Sequence, residues 1–169
     1  MPSHNFTLLL SQPNVDEETA ADHLYGGSCD DALLSVSGGV YELEFDREAP
    51  SLKGAITSAI RDVRRANIGS RVLRVVPDDL ANANTIAERS GKTRQAVALW
   101  VRGERGDGFP PPKTKVGASP VWSWLTVAQW LAARSEVTTK TVEDAATILE
   151  VNAMLERAPA KTSRKRSEG

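Results

Sequence analysis

The segment ALLSVSGGVYELEF, residues 32–45, limits the fold more than any other part of the chain. Two strand patterns flank Gly38-Gly39, a pair able to take the positive φ angles of a two-residue hairpin turn. In the second arm Tyr41, Leu43 and Phe45 alternate with Glu42 and Glu44, so this arm has one apolar and one acidic face.

The flanking residues extend this into a sheet with helices. Phe6, Leu8 and Leu10 share one face of a strand over residues 5–10. A helix follows, with Asp16 as its cap, Glu17 and Glu18 at the positive end of its dipole, and Gly26-Gly27 ending it. Beyond Pro50, Ser51 caps a second helix in which Leu52, Ile56, Ala59, Ile60 and Val63 make one buried stripe, and Gly69 stops it. Residues 71–76, RVLRVV, complete a β-α-β-β-α-β order. That order, with helices over one face of a mainly antiparallel sheet, predicts an α+β chain opening with a ferredoxin-like domain.

The chain has 169 residues, enough for one ordinary domain or two small ones. Charge favours two. Residues 1–80 carry 7 lysines and arginines against 13 acidic residues, a net −6. Residues 81–134 carry 8 against 3, a net +5, so the middle of the chain is where a polyanion can dock. The expected division is an acidic domain over 1–79, a small basic domain over 80–135, a helix over 136–157 with Val142, Ala145, Ile148, Leu149 and Leu155 on its apolar side, and a disordered basic tail over 158–169. The apolar runs are too short to span a membrane, and the N-terminus lacks the basic start of a signal peptide, so a cytoplasmic protein is expected.

In the basic region, TIAERSGKTRQAVALWV reads as two short helices around a corner. Ile86 and Ala87 line the inner side of the first, and Val97, Trp100 and Val101 that of the second. Gly91 supplies the left-handed turn residue and Thr93 caps the second helix. Thr93, Arg94, Gln95, Ala98 and Arg102 then face outward, with Arg105 just beyond. On a helix entering a major groove, Arg94 suits guanine or phosphate and Gln95 suits adenine.

The next segment, GFPPPKTKVGASPVWSW, reads as a Pro-rich arm, a turn around residues 117–120, and a return strand with Trp122 and Trp124 on one face. Lys113 and Lys115 alternate onto one side of this wing, where they can meet phosphate. Thr126 and Gln129 are spaced as a capping box for a following helix, with Leu125 and Trp130 at the staple positions. Trp100, Trp122, Trp124 and Trp130 are expected to form the core here rather than a stacking platform.

From about Ala83 to Arg134 the chain resembles the AlpA/excisionase-type winged helix-turn-helix, related to the MerR DNA-binding domain. TIAERSGKTRQAVALWV, GFPPP and VWSWLTVAQWL carry the resemblance. It implies double-stranded DNA binding by a small regulator, with Thr93, Arg94 and Gln95 starting the recognition helix, Arg102 near its end, and Lys113 and Lys115 in the wing. Ala98 and Leu99 depart from it, standing where a polar reader is common.

No catalytic constellation emerges from residues 1–80, so no enzyme is expected. His4 and His23 lack metal-ligand spacing, Asp30-Asp31 reads as a turn, the glycine pair is no phosphate cradle, and the single cysteine, Cys29, reads as a buried thiol. No cofactor or metal is expected. The acidic domain reads as a dimerisation or partner-binding module, with the C-terminal helix as a second candidate dimer contact or a cover for the winged domain. The expected function is a cytoplasmic, homodimeric transcriptional regulator. The alternative is an antitoxin-like or excisionase-like accessory protein whose first domain binds another protein.

Overall fold

The structure is a computed structural model that describes residues 1–157. The basic tail, 158–169, lies outside the described residues. Across those residues the chain is mixed α+β, with six helices and two antiparallel sheets.

The hairpin of residues 32–45 becomes β2 (Ala32–Ser37) and β3 (Val40–Glu48), joined through Gly38 and Gly39 at φ 57° and 78°. β1 (Ser3–Leu10) and β4 (Val72–Val76) complete a sheet of order β2-β3-β1-β4, every neighbouring pair antiparallel. The register sets Phe6 opposite Phe45 and Leu8 between Leu43 and Val75. The Phe6 and Phe45 rings stack with centroids 5.2 Å apart.

Those side chains share one core with α1 (Glu17–Gly26) and α2 (Leu52–Arg65), whose buried residues include Leu24, Ile56, Ala59 and Val63. Each large aliphatic buried there contributes roughly 1.5–3 kcal/mol of transfer free energy. Asp16 and Ser51 cap the two helices by accepting from Thr19 and Gly54 N–H. The opposite face of the sheet leaves Glu42, Glu44, Asp46 and Glu48 exposed.

Two boundaries differ from expectation. β1 starts at Ser3, because β3 runs on to Glu48 and supplies partners for Ser3 and His4. α2 ends at Arg65 rather than at Gly69: Asn67 takes a left-handed conformation, φ 54°, which asparagine tolerates, and breaks the helix first.

One charged group lies inside this unit. Arg47 directs all five guanidinium N–H groups to protein acceptors: both Asp31 oxygens at 2.7 and 3.0 Å, Asp62 at 2.8 Å, Ser58 Oγ at 3.1 Å and the Ser28 carbonyl at 2.8 Å. The hydrogen bonds to Asp31 raise its pKa above the ordinary arginine value. Asp31 therefore anchors a buried cation as well as belonging to a turn.

The second core gathers residues from β5 (Leu80–Ala81), α3 (Ala83–Ser90), α4 (Arg94–Val101), β7 (Ser119–Ser123) and α5 (Trp124–Ala133). β6 (Thr114–Val116) pairs with β7 across a two-residue turn, Gly117-Ala118. β7 also pairs with the two-residue β5, a strand too short to leave a periodic signal in sequence. Trp124 is the first residue of α5, not part of the return strand. The capping box at Thr126 does not form. Ser123 is the cap, accepting from Thr126 N–H, while Asp79 takes Trp124 N–H on its carbonyl at 2.6 Å and Leu125 N–H on its carboxylate at 2.9 Å.

α6 (Thr139–Arg157) joins the two cores. Ala145 is buried in the second, Ile148 and Val151 in the first. Asn152 closes the junction at the sheet edge, accepting from Val75 N–H at 2.7 Å and donating to Val75 carbonyl at 3.0 Å. The helix's buried side is thus used within the chain. It packs on the first core as well as on the second.

Candidate functional site

The corner between α3 and α4 is fixed by backbone chemistry. Gly91 lies at φ 68°, Gly91 N–H donates to Glu88 carbonyl at 3.3 Å, and Lys92 N–H donates to Ala87 carbonyl at 3.1 Å. This pair of bonds is the Schellman motif, which ends a helix and turns the chain sharply. Asn82 caps α3 through Thr85 N–H at 2.9 Å, and Thr93 caps α4 through Ala96 N–H at 3.0 Å. Ile86, Ala87, Val97 and Trp100 are buried between the helices and the second core.

Thr93, Arg94, Gln95 and Arg102 are exposed, as expected, and Ala98 is half-buried. Val101 is not on the inner side: it is 44% exposed, because Trp100 fills the last inward position of this short helix. Thr93 Oγ is committed to its cap. Arg94 and Gln95 form no side-chain hydrogen bond with another described residue, whereas Arg102 reaches Glu104 at 3.3 Å. The donors on the first turn of α4 are therefore free for a ligand.

Residues 103–112 between α4 and β6 are held down by aromatic side chains. Phe109 lies 6.0 Å from Trp100, 6.0 Å from Trp122 and 5.2 Å from Trp130, centroid to centroid. The indole N–H of Trp122 donates to Pro110 carbonyl at 3.0 Å and that of Trp130 to Asp107 carbonyl at 2.9 Å. Gly106 lies at φ 73°, where a Cβ is strained, and a Cβ there would also crowd Trp130 at 3.0 Å, so glycine favours this close approach of the loop. Arg134 covers the Trp130 ring at 4.7 Å. Trp100, Trp122 and Trp124 are buried and Trp130 is half-buried, so these rings pack the protein. Arg105 is exposed on the loop they secure.

Lys113 and Lys115 are exposed along the arm of the β6–β7 hairpin, with Lys115 opposite Pro120. Lys113 N–H donates to Val121 carbonyl at 2.8 Å, which anchors its backbone while its side chain stays unpaired among the described residues. Lys92, in the corner, was not singled out from sequence and is engaged by Glu136 at 3.0 Å. Arg89 was missed too. It is half-buried over the Trp124 ring at 5.6 Å, a placement that depends on α5 and leaves no sequence pattern.

Elsewhere, Cys29 is fully buried, and burial pushes its thiol pKa up to about 11. It stays protonated at neutral pH and is a poor nucleophile. Among the described residues no cluster of three or more His, Cys, Asp or Glu could hold a metal ion, and no helix is long and apolar enough to cross a membrane. Compared with protein-family models, curated proteins and solved structures, the chain finds no match.

Proposed function

We propose that the chain is a DNA-binding protein, a small transcriptional regulator that inserts the first turn of α4 into the major groove and lays the β6–β7 hairpin on the backbone. The observation that carries the reading is the free, exposed pair Arg94 and Gln95 at the capped start of α4, held by a three-residue corner. The lysines of the adjoining hairpin and the net +5 of residues 81–134 supply phosphate affinity. In this reading residues 80–135 are a winged helix-turn-helix. Residues 1–79 are a ferredoxin-like domain, supported by the order β2-β3-β1-β4 with both helices sharing one core.

Homodimerisation belongs to the same proposal, because two α4 helices on one DNA face would combine two weak half-sites. A second reading keeps the DNA interface and makes the first domain the seat of a protein partner, as in antitoxin-like or excisionase-like accessory proteins. The exposed acidic row Glu42, Glu44, Asp46 and Glu48 favours it.

The test is selection of bound fragments from sheared genomic DNA across a salt series, with Arg94→Ala and Lys113→Ala beside the unaltered protein. Arg94→Ala is expected to weaken the selected site by about 1–3 kcal/mol and relax preference at one base pair. Lys113→Ala should weaken all sequences alike and flatten the salt dependence. No enrichment by the unaltered protein, or enrichment indifferent to Arg94, would count against the reading.

A further inference from the structure

Where the two cores meet, a cleft of about 450 Å³ opens, within the range of small-ligand sites. His4 of β1, Leu52 of α2, Pro77 after β4, Arg89 of α3 and Trp124 of α5 line it, with the first turns of α6 closing the remaining side.

The charges of its wall are unevenly satisfied. Asp144 is paired with Lys140 at 2.7 Å, and Asp78 with Arg74 and Leu80 N–H. Asp79 accepts from Leu125 N–H on one oxygen, while its other oxygen is buried without a partner among the described residues. His4 Nε2 is 3.1 Å from the Ala49 carbonyl.

Arg89 is different. Its only hydrogen bond among the described residues runs from Nη1 to the Asp78 carbonyl at 2.9 Å, and it forms no ion pair there. Burial lowers its pKa from the ordinary arginine value, the effect expected of a cation withdrawn from water and incompletely compensated. A guanidinium offers five donors in a planar fork that matches a carboxylate. Leu52, Pro77, Trp124, Ala145 and Ile148 make the apolar part of the wall, beside the uncharged polar Ser3, Asn5 and Thr141.

We infer that this cleft binds a small organic carboxylate, with its anionic end on the Arg89 fork and its apolar body against Trp124, Leu52 and Pro77. The unpartnered Asp79 oxygen in the same wall disfavours a ligand that carries more than one negative charge, such as phosphate. Because Arg89 belongs to α3, occupancy would bear on the α3–α4 corner. That consequence rests on the DNA-binding reading, whereas carboxylate binding does not.

Calorimetric titration of the full chain at fixed ionic strength with benzoate, benzylamine and inorganic phosphate tests the inference. Benzoate is expected to saturate, and the other two to give no saturable heat. Arg89→Gln should weaken benzoate about tenfold or more, as loss of charge-assisted hydrogen bonds does. Thr141→Phe, which narrows the cleft from α6 without altering Arg89, should weaken it as well. Circular dichroism and urea midpoints identify any variant that fails to fold. The inference is overturned if benzoate does not saturate, if benzylamine binds better, or if both folded variants bind benzoate unchanged. DNA binding is measured separately, so benzoate saturation without DNA binding upholds the cleft while counting against the regulator.

Discussion

Two arginines define what a residue can be asked to do in this protein. Arg47 has every donor engaged and its side chain only 8% exposed. Arg94 is exposed and forms no hydrogen bond or ion pair with another described side chain. Removing one partner of a buried charged network strands the others, here Asp31 and Asp62. Arg47→Ala is therefore expected to lower unfolding free energy by about 3–5 kcal/mol, read from urea denaturation. Arg94→Ala should move it by less than about 0.5 kcal/mol, since it touches nothing that folding uses. A loss below about 1 kcal/mol for Arg47→Ala would mean that its network is solvated. Neither role was readable from composition: Asp31 and Asp62 are 31 positions apart in sequence and meet only because β3 carries Arg47 between them.

At the scale of elements, three helices end in the same way. After α3 the left-handed position is held by Gly91, after α4 by Gly103, and after α5 by Ser135, at φ 68°, 71° and 57°. Each is closed by the same pair of bonds; after α5 they run from Ser135 N–H to Ala132 carbonyl at 3.0 Å and from Glu136 N–H to Leu131 carbonyl at 2.9 Å. Glycine takes this conformation freely, whereas a residue with a Cβ is strained there by roughly 1–2 kcal/mol. Gly91→Ala should destabilise by about 1–2 kcal/mol, although its Cβ would meet no neighbouring atom. Ser135→Gly should stabilise by up to about 1 kcal/mol, relieved strain being partly offset by unfolded-state entropy. Thermal denaturation of both variants checks the pair, and shifts of the same sign would show that the caps do not control these ends. The corner at Gly91 was legible because glycine there has one strong meaning. The end of α5 was not, because nothing in Ser135 announces a left-handed residue.

At the scale of the whole molecule, α6 decides the arrangement. It places Ala145 in one core and Ile148 and Val151 in the other, and Asn152 serves the edge of β4 as a neighbouring strand would. An edge strand with a buried, unpaired backbone group is costly, so Asn152→Leu should destabilise by about 1–3 kcal/mol. It should also speed hydrogen exchange at Val75 N–H and along α6. If the Val75 amide stays protected, the carboxamide is not what closes the edge.

The sequence alone determined local elements: the Gly38-Gly39 hairpin, the caps at Asp16, Ser51 and Thr93, the corner at Gly91, and the outward set Thr93, Arg94, Gln95 and Arg102. Each is written within a few residues, in periodicity or in a side chain with one local use. Only the tertiary structure decided that α5 begins at Trp124 with help from Asp79, that Val101 faces water, that β5 adds a strand, and that α6 ties two cores together around a cleft. Those features depend on groups tens of residues apart competing for the same backbone donors and apolar space, and such a competition leaves no local pattern to read.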